Sequence, residues 1–352
     1  MNWNRQIEAL QARYADCDLC PWQCHVNRQQ GARGRCGMGA EIIAARAGLH
    51  AWEEPCISGR TGSGTVFFCG CNLGCVYCQN AAISTPAAAN TPLPADWRSL
   101  TPDALSEVFL RLQEQGAGNI NLVTPTHFAP GIAAAILQAR QAGLAIPTLW
   151  NSSGYESASL LRQLEGLIDI YLVDDKYGSA SQAARYSAAP DYAAHCREAI
   201  AEMVRQTGPP VFVGGLSAEA YNALDADYDG PLMQRGTIVR HLVLPGQRRI
   251  LRKGPDGVSR LLPQDSLQVV ESLLRDFGPS VYISLMSQYV PGHALTQEQY
   301  RDRFPELLQR VDPSDYEALV DHAIACGLEN GFFQGEGADD ESFIPAFDGE
   351  GL

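Results

Sequence analysis

Thr65-Val66-Phe67-Phe68-Cys69-Gly70-Cys71-Asn72-Leu73-Gly74-Cys75-Val76-Tyr77-Cys78-Gln79-Asn80 decides how the rest of the chain is read. An apolar, β-prone run ends in a glycine-rich turn that carries three cysteines at the spacing Cys-x3-Cys-x2-Cys. Soft thiolates in so tight a loop can close on one cubane of iron and sulfide. A [4Fe–4S] cube has four corners, and Cys71, Cys75 and Cys78 fill three of them, leaving one iron open to an outside ligand. Zinc is the competing occupant. It wants four ligands in a closed tetrahedron, and Cys69 is the thiolate at hand to complete one.

Upstream of this loop, residues 1 to 62 form a head unlike the rest, a small Cys-rich N-terminal module. Its core is Cys17-Asp18-Leu19-Cys20-Pro21-Trp22-Gln23-Cys24, followed by Gly31, Gly34, Cys36 and Gly37. Four thiolates at the spacing Cys-x2-Cys-x3-Cys-x11-Cys can hold one further metal centre, either zinc or a second iron–sulfur cluster. A loop-rich segment with little core of its own has a physical need for such a staple. Four merely reduced cysteines is the plain alternative. His25 is read as a surface histidine or, failing that, a substitute ligand, and Cys56 as a small buried hydrophobe.

Downstream, strand-like and helix-like runs alternate, the pattern of a parallel sheet wrapped by helices. Strands are expected at Gly64–Cys69, Asn119–Val123, Thr148–Asn151, Ile168–Val173, Thr237–Leu244 and Val281–Met286. Helical periodicity falls at Pro102–Gln115, Gly131–Ala142, Ser157–Leu164, Pro190–Gln206 and Ser266–Phe277. Thr101-Pro102-Asp103 supplies a hydroxyl N-cap with proline at the first helical position. The expected fold class is therefore α/β, a partial (β/α)6 barrel over residues 63–327. A Gly- and Asp-rich insertion is expected at about 208–236. Residues 328–352, with seven acidic and no basic side chains, read as an acidic tail anchored by Phe332, Phe333, Phe343 and Phe347.

In parallel barrels ligands sit at the C-terminal strand ends. There the sequence offers Thr124 and Thr126, then Asn151 and Ser153, then Asp174 and Lys176, groups suited to a polar, zwitterionic ligand. The ordinary readings are a satisfied turn for Asn151 and Ser153 and a surface ion pair for Asp174 and Lys176. His127 and His241 are read as structural histidines. A net charge of −14 in 352 residues argues against nucleic acid or an anionic membrane as partner. No run approaches the ~20 apolar residues of a membrane span. Thiols kept reduced for metal, with no leader-like apolar segment, fit a cytoplasmic protein.

The loop Gly70-Cys71-Asn72…Cys78-Gln79-Asn80 resembles the signature of the radical S-adenosylmethionine (SAM) superfamily. With the head Cys-x-x-Cys-Pro, His50…Trp52-Glu53-Glu54-Pro55-Cys56-Ile57-Ser58-Gly59, Asn121-Leu122-Val123-Thr124-Pro125-Thr126-His127, Asp174-Asp175-Lys176-Tyr177, Val239-Arg240-His241-Leu242-Val243-Leu244-Pro245-Gly246 and Met286-Ser287-Gln288-Tyr289, the chain resembles PflX-type proteins, related to pyruvate formate-lyase activating enzymes. The resemblance implies a radical SAM type barrel with a [4Fe–4S] cluster on Cys71, Cys75 and Cys78, and S-adenosyl-L-methionine chelated at the open iron. Reductive cleavage to a 5′-deoxyadenosyl radical would follow, then hydrogen abstraction from a substrate. Tyr77 would lie on the adenine side and Asn151 and Ser153 near the ribose or carboxylate. Asp174 and Lys176 match an Asp-x-Lys motif, and Thr124 and Thr126 stand where relatives carry Gly-Gly-Glu for the SAM amine. An electron donor of flavodoxin or ferredoxin type is implied as partner, and the target is a glycyl radical enzyme, a small molecule or a peptide. The reading of another class is a non-enzymatic iron–sulfur or zinc protein.

Overall fold

The computed structural model describes residues 3–84, 93–224, 229–292, 298–334 and 345–352. Its strands, in chain order, are β1 (Ile42–His50), β2 (Ser63–Phe68), β3 (Arg98–Leu100), β4 (Ile120–Val123), β5 (Thr148–Ser152), β6 (Ile170–Asp174), β7 (Val211–Phe212), β8 (Met233–Leu242), β9 (Arg249–Lys253), β10 (Ser259–Pro263), β11 (Tyr282–Met286) and β12 (Gly331–Phe333). The chain is α/β with a mostly parallel central sheet. Strands β2, β4, β5, β6, β8, β11 and β12 are neighbours in sequence order and run parallel, while β1 and β3 add antiparallel at the β2 edge.

Why those segments are strands is visible in the burial. β2, β4, β5 and β11 are buried at every position, as expected for strands covered on both faces. Helices Pro102–Glu114, Ala129–Gln141, Ala158–Gln163, Tyr192–Thr207 and Gln264–Asp276 lie in turn between consecutive strands of the parallel sheet. Thr101 caps the first of them by accepting a hydrogen bond from the Ala104 amide, with Pro102 next in line.

One face of the sheet carries Leu149, Ile170, Leu172, Ile238 and Tyr282, packed with Cys56 and Ile57 in a small inner core. Two residues further along each strand the same face turns polar. Asp174 is in register with Arg240, and Arg240 with Ser284, and Asn121 and Asn151 lie on that face nearby. The apolar floor and polar rim follow from strand period alone.

Ile42–His50, within the stretch read as the head, is a strand of the main sheet. The region read as an insertion holds β7, the helix Ala218–Asn222 and the first residues of β8. In the tail, β12 extends the parallel sheet and Phe332 stacks on Tyr282 at 5.1 Å. Phe347 then meets Phe67 edge-on at 5.4 Å. Gly349 and Glu350 bond to the backbone of Ala45 and Ala47. Phe343 lies outside the described residues. Among the described residues no helix is long and apolar enough to cross a membrane.

Candidate functional site

The cysteine loop leaves the C-terminal end of β2 through Gly70, whose φ of +78° few other residues adopt. A Cβ there would stand 2.6 Å from the Cys36 carbonyl oxygen and 2.6 Å from Met38 Cγ, so the head presses directly on the loop. The loop is held by backbone bonds from Gly70 to Ile83 and from Val76 to Tyr186.

Each sulfur meets donors. The Leu73 amide donates to Cys71 Sγ at 3.4 Å, Ser84 Oγ to Cys78 Sγ at 3.1 Å, and Ser187 Oγ to Cys75 Sγ at 3.1 Å. Burial and then the neighbouring Cys78 and Cys75 push the Cys71 thiol up to about 12. Burial and Cys75 likewise raise Cys78, against the pull of Ser84 and Lys176. Each of the three sulfurs thus meets a hydrogen-bond donor, and the three lie near enough to act on one another electrostatically. Cys69 stands apart: only burial raises it, and no neighbouring thiol acts on it. Tyr77 is buried in a ring of Tyr177, Tyr186 and Tyr289, at centroid distances of 6.4, 6.1 and 6.2 Å.

Beside the loop, Lys176 Nζ donates to Asp174 Oδ2 at 2.7 Å, and Arg240 Nε to Asp174 Oδ1 at 3.0 Å. Burial opposes a charged Asp174, yet Lys176 and Arg240 outweigh it and hold the carboxyl below the usual carboxylate range. Burial also opposes the charge on Lys176, but Asp174 and then Cys75 keep its pKa above the ordinary lysine value. Arg240 reaches two further acceptors, Glu53 Oε2 at 3.0 Å and Asn151 Oδ1 at 2.7 Å. Asn121 completes the network by donating to Glu53 Oε1 at 2.8 Å. Asp174, Lys176 and Asn151 are thus brought together. Ser153 sits at the edge, with Oγ 3.4 Å from Asn72 Oδ1.

Glu53, like Arg240 and Asn121, is a member to which sequence reasoning gave no role. It lies 187 residues from Arg240, and the signal was the pair Glu53-Glu54 ahead of Pro55, quoted in the resemblance but given no role. Buried Glu54 Oε2 and Asn121 Oδ1 have no hydrogen-bond partner. These spare acceptors, beside a lysine and an arginine, fit a ligand that brings both donors and a carboxylate.

Thr124 and Thr126 go different ways. Thr124 adopts φ +59°, rare for a β-branched residue. Thr126 is buried, and its hydroxyl donates to Glu156, whose carboxyl burial pushes up to about 7. His127 Nε2 lies 2.8 Å from the Cys69 carbonyl, and burial pushes its pKa down to about 3, so the ring is neutral and structural. His241 bonds Asp175 O and Ser266 Oγ in the same manner.

The head forms a second cysteine group. Residues Cys17 and His25/Val26 bond backbone to backbone, closing a turn with Gln23 and His25 at positive φ. Cys20, Cys36, Cys24 and Cys17 act on one another electrostatically. Among the described residues, no three His, Cys, Asp or Glu side chains converge as they would on a single ion.

No family model matches the chain. It is 30% identical over 189 residues to an uncharacterized protein of Methanocaldococcus jannaschii, MJ0674, a match covering 53% of each. The chain thus spans about half the length of that relative.

Proposed function

We propose that the chain is a radical SAM enzyme of the activating-enzyme type, built on a partial (β/α)6 barrel formed by β2, β4, β5, β6, β8 and β11. The observation that carries this reading is the placement of Cys71, Cys75 and Cys78 at the same strand ends as Asp174, Lys176, Asn151 and Arg240. Three soft donors suit a [4Fe–4S] cluster with one iron left open. Such a cluster, once bound, would supply the electron that splits the sulfonium of S-adenosylmethionine to a 5′-deoxyadenosyl radical.

The chain's own residues do the rest. Lys176, anchored by Asp174, offers a partly buried cation to the carboxylate of the ligand. Glu54 and Asn121 offer free acceptors to its amine and hydroxyls. The apolar floor of Leu172, Ile238 and Tyr282 keeps water from the space where hydrogen is taken from the substrate. That substrate is a C–H bond on a partner protein or peptide, or on a small molecule.

Anaerobic reconstitution with iron and sulfide, then dithionite and S-adenosylmethionine, tests the proposal. Release of 5′-deoxyadenosine is expected, and its loss in Cys75→Ala. An intact S-adenosylmethionine pool with a fully loaded cluster would instead make the protein an electron carrier.

A further inference from the structure

Arg28 is 1% exposed, and among the described residues it makes no salt bridge to a carboxylate. Its guanidinium meets the Gly39 carbonyl, the sulfur of Cys17 at 3.8 Å and the face of Tyr14 at 4.5 Å. A buried cation left on neutral partners is costly, because nothing replaces the water it has lost. Around it stand Cys17, Cys36 and, further out, Cys20 and Cys24, and two of these sulfurs have an N–H directed at them. Arg28 Nη1 points to Cys17 at 3.8 Å and the Arg35 amide to Cys24 at 3.3 Å. A thiol is a weak acceptor and a thiolate a strong one. A backbone amide and a buried guanidinium aimed at thiols gain little; aimed at thiolates they gain much more.

We propose that Cys17, Cys20, Cys24 and Cys36 hold a fully cysteine-ligated metal centre, zinc or an iron–sulfur cluster, and that Arg28 is its buried counter-charge. Four thiolates around a divalent zinc, or around an oxidised cubane, leave the same two net negative charges beside the guanidinium. With four protein ligands the centre has no open position and takes no outside ligand. Loading draws the four sulfurs together, as coupled folding and metal binding do in small metal modules. What it braces is the cysteine loop, because Trp22 Nε1 donates to the Asn72 carbonyl at 2.6 Å and Arg35 stacks over Trp22 at 4.8 Å. This inference does not depend on radical chemistry.

The full chain carrying Cys71→Ala, Cys75→Ala and Cys78→Ala isolates the head and has no loop cluster to confuse the result. It is loaded either with zinc or, anaerobically, with iron and sulfide, and desalted. About one zinc, or about four irons with matching sulfide, per chain is expected, and the two arms tell the occupants apart. Adding Cys20→Ser and Cys36→Ser should abolish retention. Arg28→Gln should weaken the metal against a competing chelator by roughly 10–100-fold, with Arg28→Lys in between. Should the serine variant fail to fold, thiol labelling of the loop-free chain serves instead. Eleven cysteines less three leaves eight, and metal should shield four of them. No metal in either arm, with circular dichroism unchanged, overturns the site. Equal chelator resistance in Arg28→Gln overturns the role of Arg28.

Discussion

Arg28 is buried beside the cysteines of the head, Arg240 is partly buried among the groups at the strand ends, and the two are answered in opposite ways. Arg240 has Glu53 at 3.0 Å, Asp174 at 3.0 Å and Asn151 at 2.7 Å, a complete set of acceptors within the chain. Arg28 has a carbonyl, a sulfur and an aromatic face. The strand-end network therefore stands by itself and only receives a ligand, whereas the head needs charge brought in from outside to balance its account. Glu156 is the mirror image of Arg28, a buried carboxyl that accepts from the Thr126 hydroxyl and, among the described residues, meets no cation.

The contrast can be broken by substitution. Arg240→Met leaves Glu53 and Asp174 short of a partner and should cost roughly 3–5 kcal/mol in urea unfolding of the metal-free chain. A loss below about 1 kcal/mol would show that the network is not what holds the strand ends. Glu156 comes next. Burial raises its folded pKa from 4.5 to about 7, so its contribution is whole below the unfolded value and is lost as pH rises through 7. The difference between pH 4 and pH 8 is about 3 kcal/mol. Glu156→Gln should therefore gain stability relative to wild type on going from pH 5 to pH 8, and parallel profiles would refute the neutral carboxyl. Gly70→Ala, forced against Cys36 and Met38, should lose roughly 1–3 kcal/mol and loosen the loop, read by unfolding and by faster labelling of Cys71. Smallest is Arg28→Met in the metal-free chain. Exchanging an unanswered buried cation for an apolar side chain should change stability by less than about 1 kcal/mol, against the several kcal/mol expected for Arg240.

The parallel strands were legible because buried strands write themselves as short apolar runs between breakers; Gly64–Cys69 and Thr148–Asn151 each fall within a residue or so of their observed ends. Ile42–His50 was not. Its Ala-Ala-Arg-Ala-Gly core lacks β-branched residues after Ile43, and it is a strand because β2 and β3 flank it. The hairpin of β9 and β10 was missed for a related reason: Leu251 and Leu261 face solvent, so burial left no pattern. At the site, Cys71, Cys75, Cys78, Asp174 and Lys176 could be read from spacing along one segment. Glu53 with Arg240, and Thr126 with Glu156, are pairings between distant segments that no local pattern announces.

Electron paramagnetic resonance of the reduced, anaerobically reconstituted protein, recorded with and without S-adenosylmethionine, addresses the open iron most directly. A cubane held by only Cys71, Cys75 and Cys78 should show a signal that shifts when the ligand is added, and the shift should vanish with Cys71→Ala. A reduced-cluster signal indifferent to S-adenosylmethionine would contradict it.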